Sequence, residues 1–547
     1  MRRLIYILII LSIASCYEDK GNYDYENINT LDVTMDEIYT VRVDRDTIIE
    51  ITPRLSQSLA DNESRLKYTW LHSDINHNFY SLALVFETDL DTVGTEKTLR
   101  FHVNPEAEDL TYKHYFRVNV YDESTGIEYP VNTTIELTKP YDGAWMVLHE
   151  KNGRAKLGSV EYIGGNIVTE EDTYLKNSGK QLVGKPLCLG QYTTAVKYYG
   201  DGDAWNMFYV LTDVPTEAGV YCQWKRLVKM DSLSRMVAPM ARAEFDYRHV
   251  KLMDGDGSAS ALLLSEGGVF YQIPRAGKVY KPQCKLEGEM KFTLASKIAN
   301  RALLYDEAGH RFAFYNNSDI AWGYMNYDPL YFIEVEENSD LVMPIPVYEG
   351  NVMEINPNRL PKEQKVLYVG TGYQFDFTGT GVYGYALATS DDRCFVYEFN
   401  PKGFTSSTIA AFNAYYSINL PENLNENACF ASTSSYSGII FYASGNSVYR
   451  LDFKSAGGKA TLVYTHSGGK ATKMKFAKRI IPAEGLFSAY QFDVVRSLGI
   501  AFDMGNGKSD FVILNLSPTG SVGADSKDYP ATQVYSEFGE ITDFVFI

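Results

Sequence analysis

"IIFYASGNSVYRLDF", residues 439–453, is the stretch that decides the fold. An apolar, aromatic-rich run meets Gly445-Asn446, and a second run returns with alternating apolar side chains. A two-residue loop between strands needs residues that tolerate positive φ, and Gly and Asn do so at little cost. The stretch reads as a β-hairpin.

The same unit recurs along the chain. It appears as "WMVLHEKNGRAKLGSV" from Trp145, "MFYVLTDVPTEAGVYCQWKRL" from Met207 and "ALLLSEGGVFYQI" from Ala261. It continues as "RFAFYNNSDIAWGY" from Arg311, "YGYALATSDDRCFVYEFN" from Tyr383 and "GIAFDMGNGKSDFVILNL" from Gly499. With Ile439 in its place, successive starts are 62, 54, 50, 72, 56 and 60 residues apart. Asn152-Gly153 and Gly267-Gly268 supply loops like Gly445-Asn446.

A lone hairpin cannot bury both of its faces. Strands such as "KVLYVGTG" and "KFTLAS" fall between the units and would complete four-stranded sheets. Sheets of that kind pack radially into a β-propeller, expected here over residues 140–547. Seven hairpins predict seven blades; six or eight stay open because the 72-residue interval has room for another unit. The closing "EITDFVFI" is strand-like and is expected to complete the blade begun near residue 140, fastening the ring.

Residues 30–139 read as a separate all-β unit. "YTVRVDRDTIIEITPRL", "RLKYTWLHSD", "TLRFHVNP", "HYFRVNVYDEST" and "YPVNTTIELT" alternate apolar and polar residues between turn-rich joints. About eight strands in about 110 residues predict an Ig-like β-sandwich with Trp70 in its core. "KPYDGAW", residues 139–145, is the expected boundary.

Before the sandwich stands a leader. Arg2 and Arg3 precede an apolar run from Leu4 to Leu11, shorter than the ~20 residues a membrane span needs. The run ends in Ile13-Ala14-Ser15-Cys16, an aliphatic residue, two small ones and a thiol, which is the pattern of a bacterial lipobox. Residues 1–15 are thus expected to be a signal peptide and Cys16 the lipidation site, anchoring the chain to a membrane through lipid chains alone. Residues 16–29, rich in acids, Gly, Tyr and Asn, read as a tether that cannot build a core of its own.

Composition narrows the function. The formal charge of −18 becomes about −20 once the two leader arginines are removed, so the surface repels nucleic acid. Five cysteines follow Cys16 at wide spacings with no CxxC pair, which argues against zinc and iron–sulfur sites. Tyrosine is the outlier at 42 residues, and β-structure accounts for much of it, since Tyr fits a pleated, half-buried surface.

Catalytic patterns are not found in the sequence. The eight histidines include no HExxH, and no GxSxG elbow occurs. "GNGKSD", residues 505–510, mimics a phosphate loop, but Phe502 stands where that loop needs Gly and strands flank it, so a hairpin turn is expected. Asp254 and Asp256 in "MDGDGSAS" are weak calcium candidates: the twelfth loop position is Ser265, and an ordinary turn, like Asp201 and Asp203 in "YGDGDAWN", is the simpler reading. No pair of acids stands out for glycoside hydrolysis among 69. No cofactor is expected, and the chain reads as a non-enzyme.

The binding candidates are aromatic. "DIAWGYMNYDPLYF" offers Trp322, Tyr324 and Tyr327, and "GTGYQFDFTGTG" offers Tyr373, Phe375 and Phe377 among glycines. Ring faces of this kind stack on sugars or pack on peptide side chains. Strand residues packed between blades are the plainer account of any one of them.

"CYEDKGNYDYENIN", followed by "YTWLHSD", "FRVNVYD" and "GAWMVLHEKNG", resembles the PKD-like family lipoproteins of Bacteroidetes. The resemblance is best over the N-terminal 150 residues, and Trp70 lacks the Gly-Asp-Gly that follows its counterpart in ordinary PKD domains. Acids directly after an acylated cysteine also resemble the surface-export signal of that phylum. The resemblance implies an outer-membrane lipoprotein facing the cell exterior, serving SusC- and SusD-like transporter proteins that take up glycans or peptides. It brings no catalytic residues. A glycan- or peptide-degrading enzyme on a propeller scaffold and a ligand-free scaffold of the transporter complex are the competing readings.

Overall fold

The computed structural model describes residues 30–43, 46–58, 63–73, 91–104, 113–138, 141, 143–163, 166–192, 207–222, 227–253, 261–273, 278–298, 301–316, 340–347, 355–372, 383–400, 411–433, 435–477, 479–481, 491–493, 496–525 and 530–547. The chain divides into two compact units, Met1–Thr138 and Lys139–Ile547.

In the first unit the alternating stretches form two faces of a sandwich. Leu66–Ser73 pairs antiparallel with Lys113–Asp122, which pairs with Ile127–Thr138, and Ile38–Arg42 joins that last strand in parallel. Thr47–Ile51 pairs with Leu99–Val103 in a second, smaller sheet. Lys113–Asp122 buries every second residue, including Phe116, Val118 and Val120. Trp70 lies opposite Val118, fully buried, and its indole N–H donates to the Glu96 carbonyl at 2.9 Å. That bond satisfies the one polar atom of the largest core side chain.

The second unit is built from sheets of four or more strands, seven of them among the described residues. In five, the innermost strand comes first in sequence: Pro186–Tyr192, Lys251–Met253, Lys365–Thr371, Cys429–Ala431 and Lys470–Phe476. In the five-stranded sheet Phe292–Ile298 is innermost, and Gln283–Cys284, which precedes it in sequence, lies at the outer edge, parallel to Asp340–Pro344. The other sheet takes Trp145–Lys151, Arg154–Ile163 and Asn166–Glu170 from the start of the unit and its innermost strand, Glu540–Phe546, from the end. Trp145 pairs with Phe546 and Glu150 with Glu540, so the closing strand completes the first sheet as the sequence predicts.

The innermost strands touch one another in cyclic order. Contacts link Glu540–Phe546 to Pro186–Tyr192, onward to Lys251–Met253, Phe292–Ile298 and Lys365–Thr371, and from Cys429–Ala431 through Lys470–Phe476 back to Glu540–Phe546. The remaining link is made by Tyr368 Oη, 2.8 Å from Ser432 Oγ, and by that hydroxyl donating to the Thr371 carbonyl. The unit is a β-propeller.

Its core is divided among the spaces between sheets, which explains the unbroken apolar runs. Phe208 and Val210 pack on Met146 and Leu148 of the preceding sheet, whereas Tyr209 and Leu211 pack on Leu263 and Phe270 of the following one. Phe441 and Ala443 face the sheet that follows, and Ile440 and Tyr442 the one before. Since successive side chains point to opposite faces, a strand buried on both faces must be apolar throughout. Tyr209, Tyr221, Tyr271, Tyr315, Tyr385, Tyr397 and Tyr442 are all fully buried in these spaces, so much of the tyrosine excess is structural. Each such ring contributes roughly 1.5–3 kcal/mol by leaving water.

Two local expectations need correction. The fourth hairpin is Arg301–Asp306 with Arg311–Asn316, so Arg311 opens its second strand rather than its first. The third hairpin turns on Glu266-Gly267, because Ser265 pairs with Gly268. Gly267 is required there: a Cβ would collide with the Glu244 carbonyl. Asn152-Gly153 turns with φ of 57° and 71° as predicted, and Asn506-Gly507 does the same with 55° and 69°. "GNGKSD" is accordingly a hairpin turn, with Gly505 paired to Lys508.

Candidate functional site

Cys16 and the tether lie outside the described residues, as do Trp322, Tyr324, Tyr327, Tyr373, Phe375, Phe377, Asp201, Asp203, Asp254 and Asp256. The described strands next to them can be placed. Ser296 Oγ and Thr371 Oγ1 are 3.3 Å apart, and Thr371 Oγ1 donates to the Lys297 carbonyl at 3.2 Å. Ser432, directly after Cys429–Ala431, bonds to Tyr368 and to Thr371. Three adjacent innermost strands therefore meet at their C-terminal ends in a chain of hydroxyls and carbonyls, one polar end of the ring.

Lys365–Thr371 runs toward that end immediately before segment 373–382, and Lys251–Met253 immediately before segment 254–260. Arg311–Asn316 and Asp340–Pro344, which flank segment 317–339, are the third and fourth strands counted from the ring axis, and the inner four strands of that sheet pair antiparallel. Alternation of strand direction puts their junction on the same side as the junction of the first two strands. The strand ends that flank the aromatic and acidic candidates thus share one side of the ring. Gly372 belongs to this end: a Cβ there would strike the buried Tyr385 ring.

A charged cluster holds the ring where it closes. Asp543, on the closing strand and fully buried, takes Lys475 Nζ at 2.9 Å and Lys473 Nζ at 3.1 Å on one oxygen, and the Leu189 amide at 2.9 Å on the other. Burial pushes its carboxyl up, but the two ammoniums outweigh burial and hold it below the ordinary value. The closing strand is thereby bonded to the sheets on both sides. Sequence reasoning missed this site, although an acid inside the apolar "EITDFVFI" is a visible anomaly.

A second group joins two carboxylates and an imidazole. His249 Nδ1 is 3.0 Å from Asp246 Oδ2 and 3.4 Å from Glu266 Oε1. Arg248 also grips Asp246, with Nε 3.1 Å from Oδ1 and Nη2 3.2 Å from Oδ2. The guanidinium supplies the positive charge that a cation would, and the cluster reads as an ion-pair network. Burial pushes the Cys394 thiol up to about 12, which keeps it protonated and a poor nucleophile.

Comparison with known proteins bears on the N-terminal part. Residues 16–186 match the PKD-like family. The match runs through the sandwich and the first three propeller strands to the start of the second propeller sheet. No curated protein matches the chain. Among solved structures, a quinonprotein alcohol dehydrogenase-like protein from Bacteroides thetaiotaomicron is similar at 12% identity over 93% of this chain and 96% of that one, with a TM-score of 0.41. AztD from Citrobacter koseri is similar at 12% identity over 78% and 94%, TM-score 0.34. PorZ, a surface component of the type-IX secretion system of Porphyromonas gingivalis, is similar at 10% identity over 73% and 46%, TM-score 0.31.

Proposed function

We propose that the protein is an outer-membrane lipoprotein, anchored through acylated Cys16 and facing the cell exterior, that serves a SusC/SusD-like uptake system as a non-catalytic binding component. The seven sheets are taken as seven blades of one ring. The observation that carries this reading is the union, in one chain, of a leader ending in a lipobox with a PKD-like N-terminal segment and a closed propeller. A rigid ring presenting loops at one end suits recognition of an extended polymer, because binding residues on loops are positioned by the scaffold beneath them. Trp322, Tyr324, Tyr327, Tyr373 and Phe375 are the proposed contacts for a glycan or peptide, their flanking strands ending on one side of the ring.

Two experiments test the proposal. Metabolic labelling with a fatty acid in the native host should mark the wild-type chain and not Cys16→Ser, which should also leave the membrane fraction; equal labelling would remove the anchor. Purified protein incubated with a panel of glycans and peptides should retain a ligand without releasing products. Product release would favour a degrading enzyme, and copurification with a transporter without any ligand retention would favour a scaffold.

A further inference from the structure

The turn of the first propeller hairpin gathers positive charge in a chain that is otherwise strongly acidic. Lys151 pairs with Arg154 across the Asn152-Gly153 turn, and Lys156 lies two residues beyond Arg154 on the same strand. Cross-strand partners and residues two apart share a face of a sheet, so the three cations stand together. They line a cavity of about 300 Å³ whose other wall is the connection after the same sheet, with Asp172, Leu175 and Gln181.

The cations are held in place and incompletely neutralised. Glu171 is shared: Oε2 takes Lys151 Nζ at 2.5 Å and Oε1 takes Lys156 Nζ. Lys151 is further fixed by the Glu537 carbonyl at 2.9 Å. Arg154 donates one N–H to Gln181 Oε1 at 3.0 Å, which orients a guanidinium that carries five donors. Three positive charges face two negative ones, Glu171 and Asp172. The remaining acidity of the chain acts weakly here, because exposed charges beyond about 8 Å are screened at physiological salt.

We propose that this cavity binds the carboxylate of a single acidic sugar residue. Its volume sits at the low end of the ~300–1,000 Å³ range of small-molecule sites, which suits one sugar ring better than a chain. An oriented guanidinium pairs with a planar carboxylate through two parallel hydrogen bonds, and Leu175 gives the ring an apolar wall. The inference names a ligand class within the glycan reading, but places it at the turn between the second and third strands, at the opposite end of the ring from the strand ends that flank the aromatic candidates.

The test is calorimetric titration of the mature protein with glucuronate, galacturonate, glucose and inorganic sulfate. The uronates should saturate one site, glucose should not bind there, and Arg154→Gln should weaken the uronate roughly tenfold or more with an unchanged thermal midpoint. Binding of sulfate as tight as uronate would replace the sugar with a simple anion site and overturn the proposal. Equal binding of uronate and glucose, no uronate binding, or an indifferent Arg154→Gln would overturn it as well. Retention of a polymer by the intact protein together with an indifferent Arg154→Gln would defeat this inference alone, whereas uronate binding without polymer retention would defeat only the polymer reading.

Discussion

His149 is held neutral by burial, and its two hydrogen bonds fix which nitrogen carries the proton. The Gly539 amide donates to Nδ1 at 3.0 Å, and Nε2 lies 2.9 Å from the Glu171 carbonyl, so the single ring proton belongs on Nε2. A second proton on Nδ1 would face the Gly539 N–H. Burial, with Lys156 and Lys151 nearby, pushes the imidazole down to about 4 from 6.5. Because the folded value lies below the unfolded one, its contribution is complete above pH 6.5 and is lost as pH falls toward 4. The loss should reach on the order of 3 kcal/mol. Denaturant midpoints between pH 7 and 4 should fall more for the wild type than for His149→Gln; parallel profiles would refute the assignment. The signal was present in "WMVLHEK", a histidine inside an apolar strand, but burial on both faces is a property of neighbouring sheets and not of that strand alone.

At the scale of elements, the closing strand is both the best and the least completely read feature. Its apolar residues and position pointed to closure of the first sheet, and it pairs there. Its Asp543 could not be interpreted without Lys473 and Lys475, which reach it from the adjoining sheet. Replacing Asp543 with Asn would leave two partly buried ammoniums without their counter-charge, at a cost of about 3–5 kcal/mol. The variant should show a lowered thermal midpoint and faster proteolysis at the C-terminus, and an unchanged midpoint would show that the seam is held by packing alone. The fourth hairpin was misplaced for a local reason. "NNSD" has turn composition, whereas the true turn ends with His310 at φ 48°, a conformation that sequence does not assign to histidine. Tight Asn-Gly and Gly-Asn loops were legible because only a few residues fit them, and a four-residue turn is less demanding.

Across the whole molecule, fold and site differ in legibility. Repetition of one hairpin, with strands left over between copies, was enough to reach a propeller, since each copy has the same problem of burying two faces. The sandwich followed from alternation, and Trp70 from being the largest side chain that the pattern placed inward in "YTWLHSD", beside Tyr68 on the same face. Polar features that join distant segments were not legible: the hydroxyl chain through Ser296, Thr371 and Ser432 spans three sheets, and the basic cavity needs Gln181 opposite Arg154. Such sites exist only once the ring brings its segments together. We propose that this ring binds a polymer and does not cut it. The most direct measurement is to incubate the mature protein with labelled glycans and peptides and to analyse both the retained and the free fractions. Intact ligand should be retained on the protein; shortened products accumulating with time would show that the ring cuts what it binds.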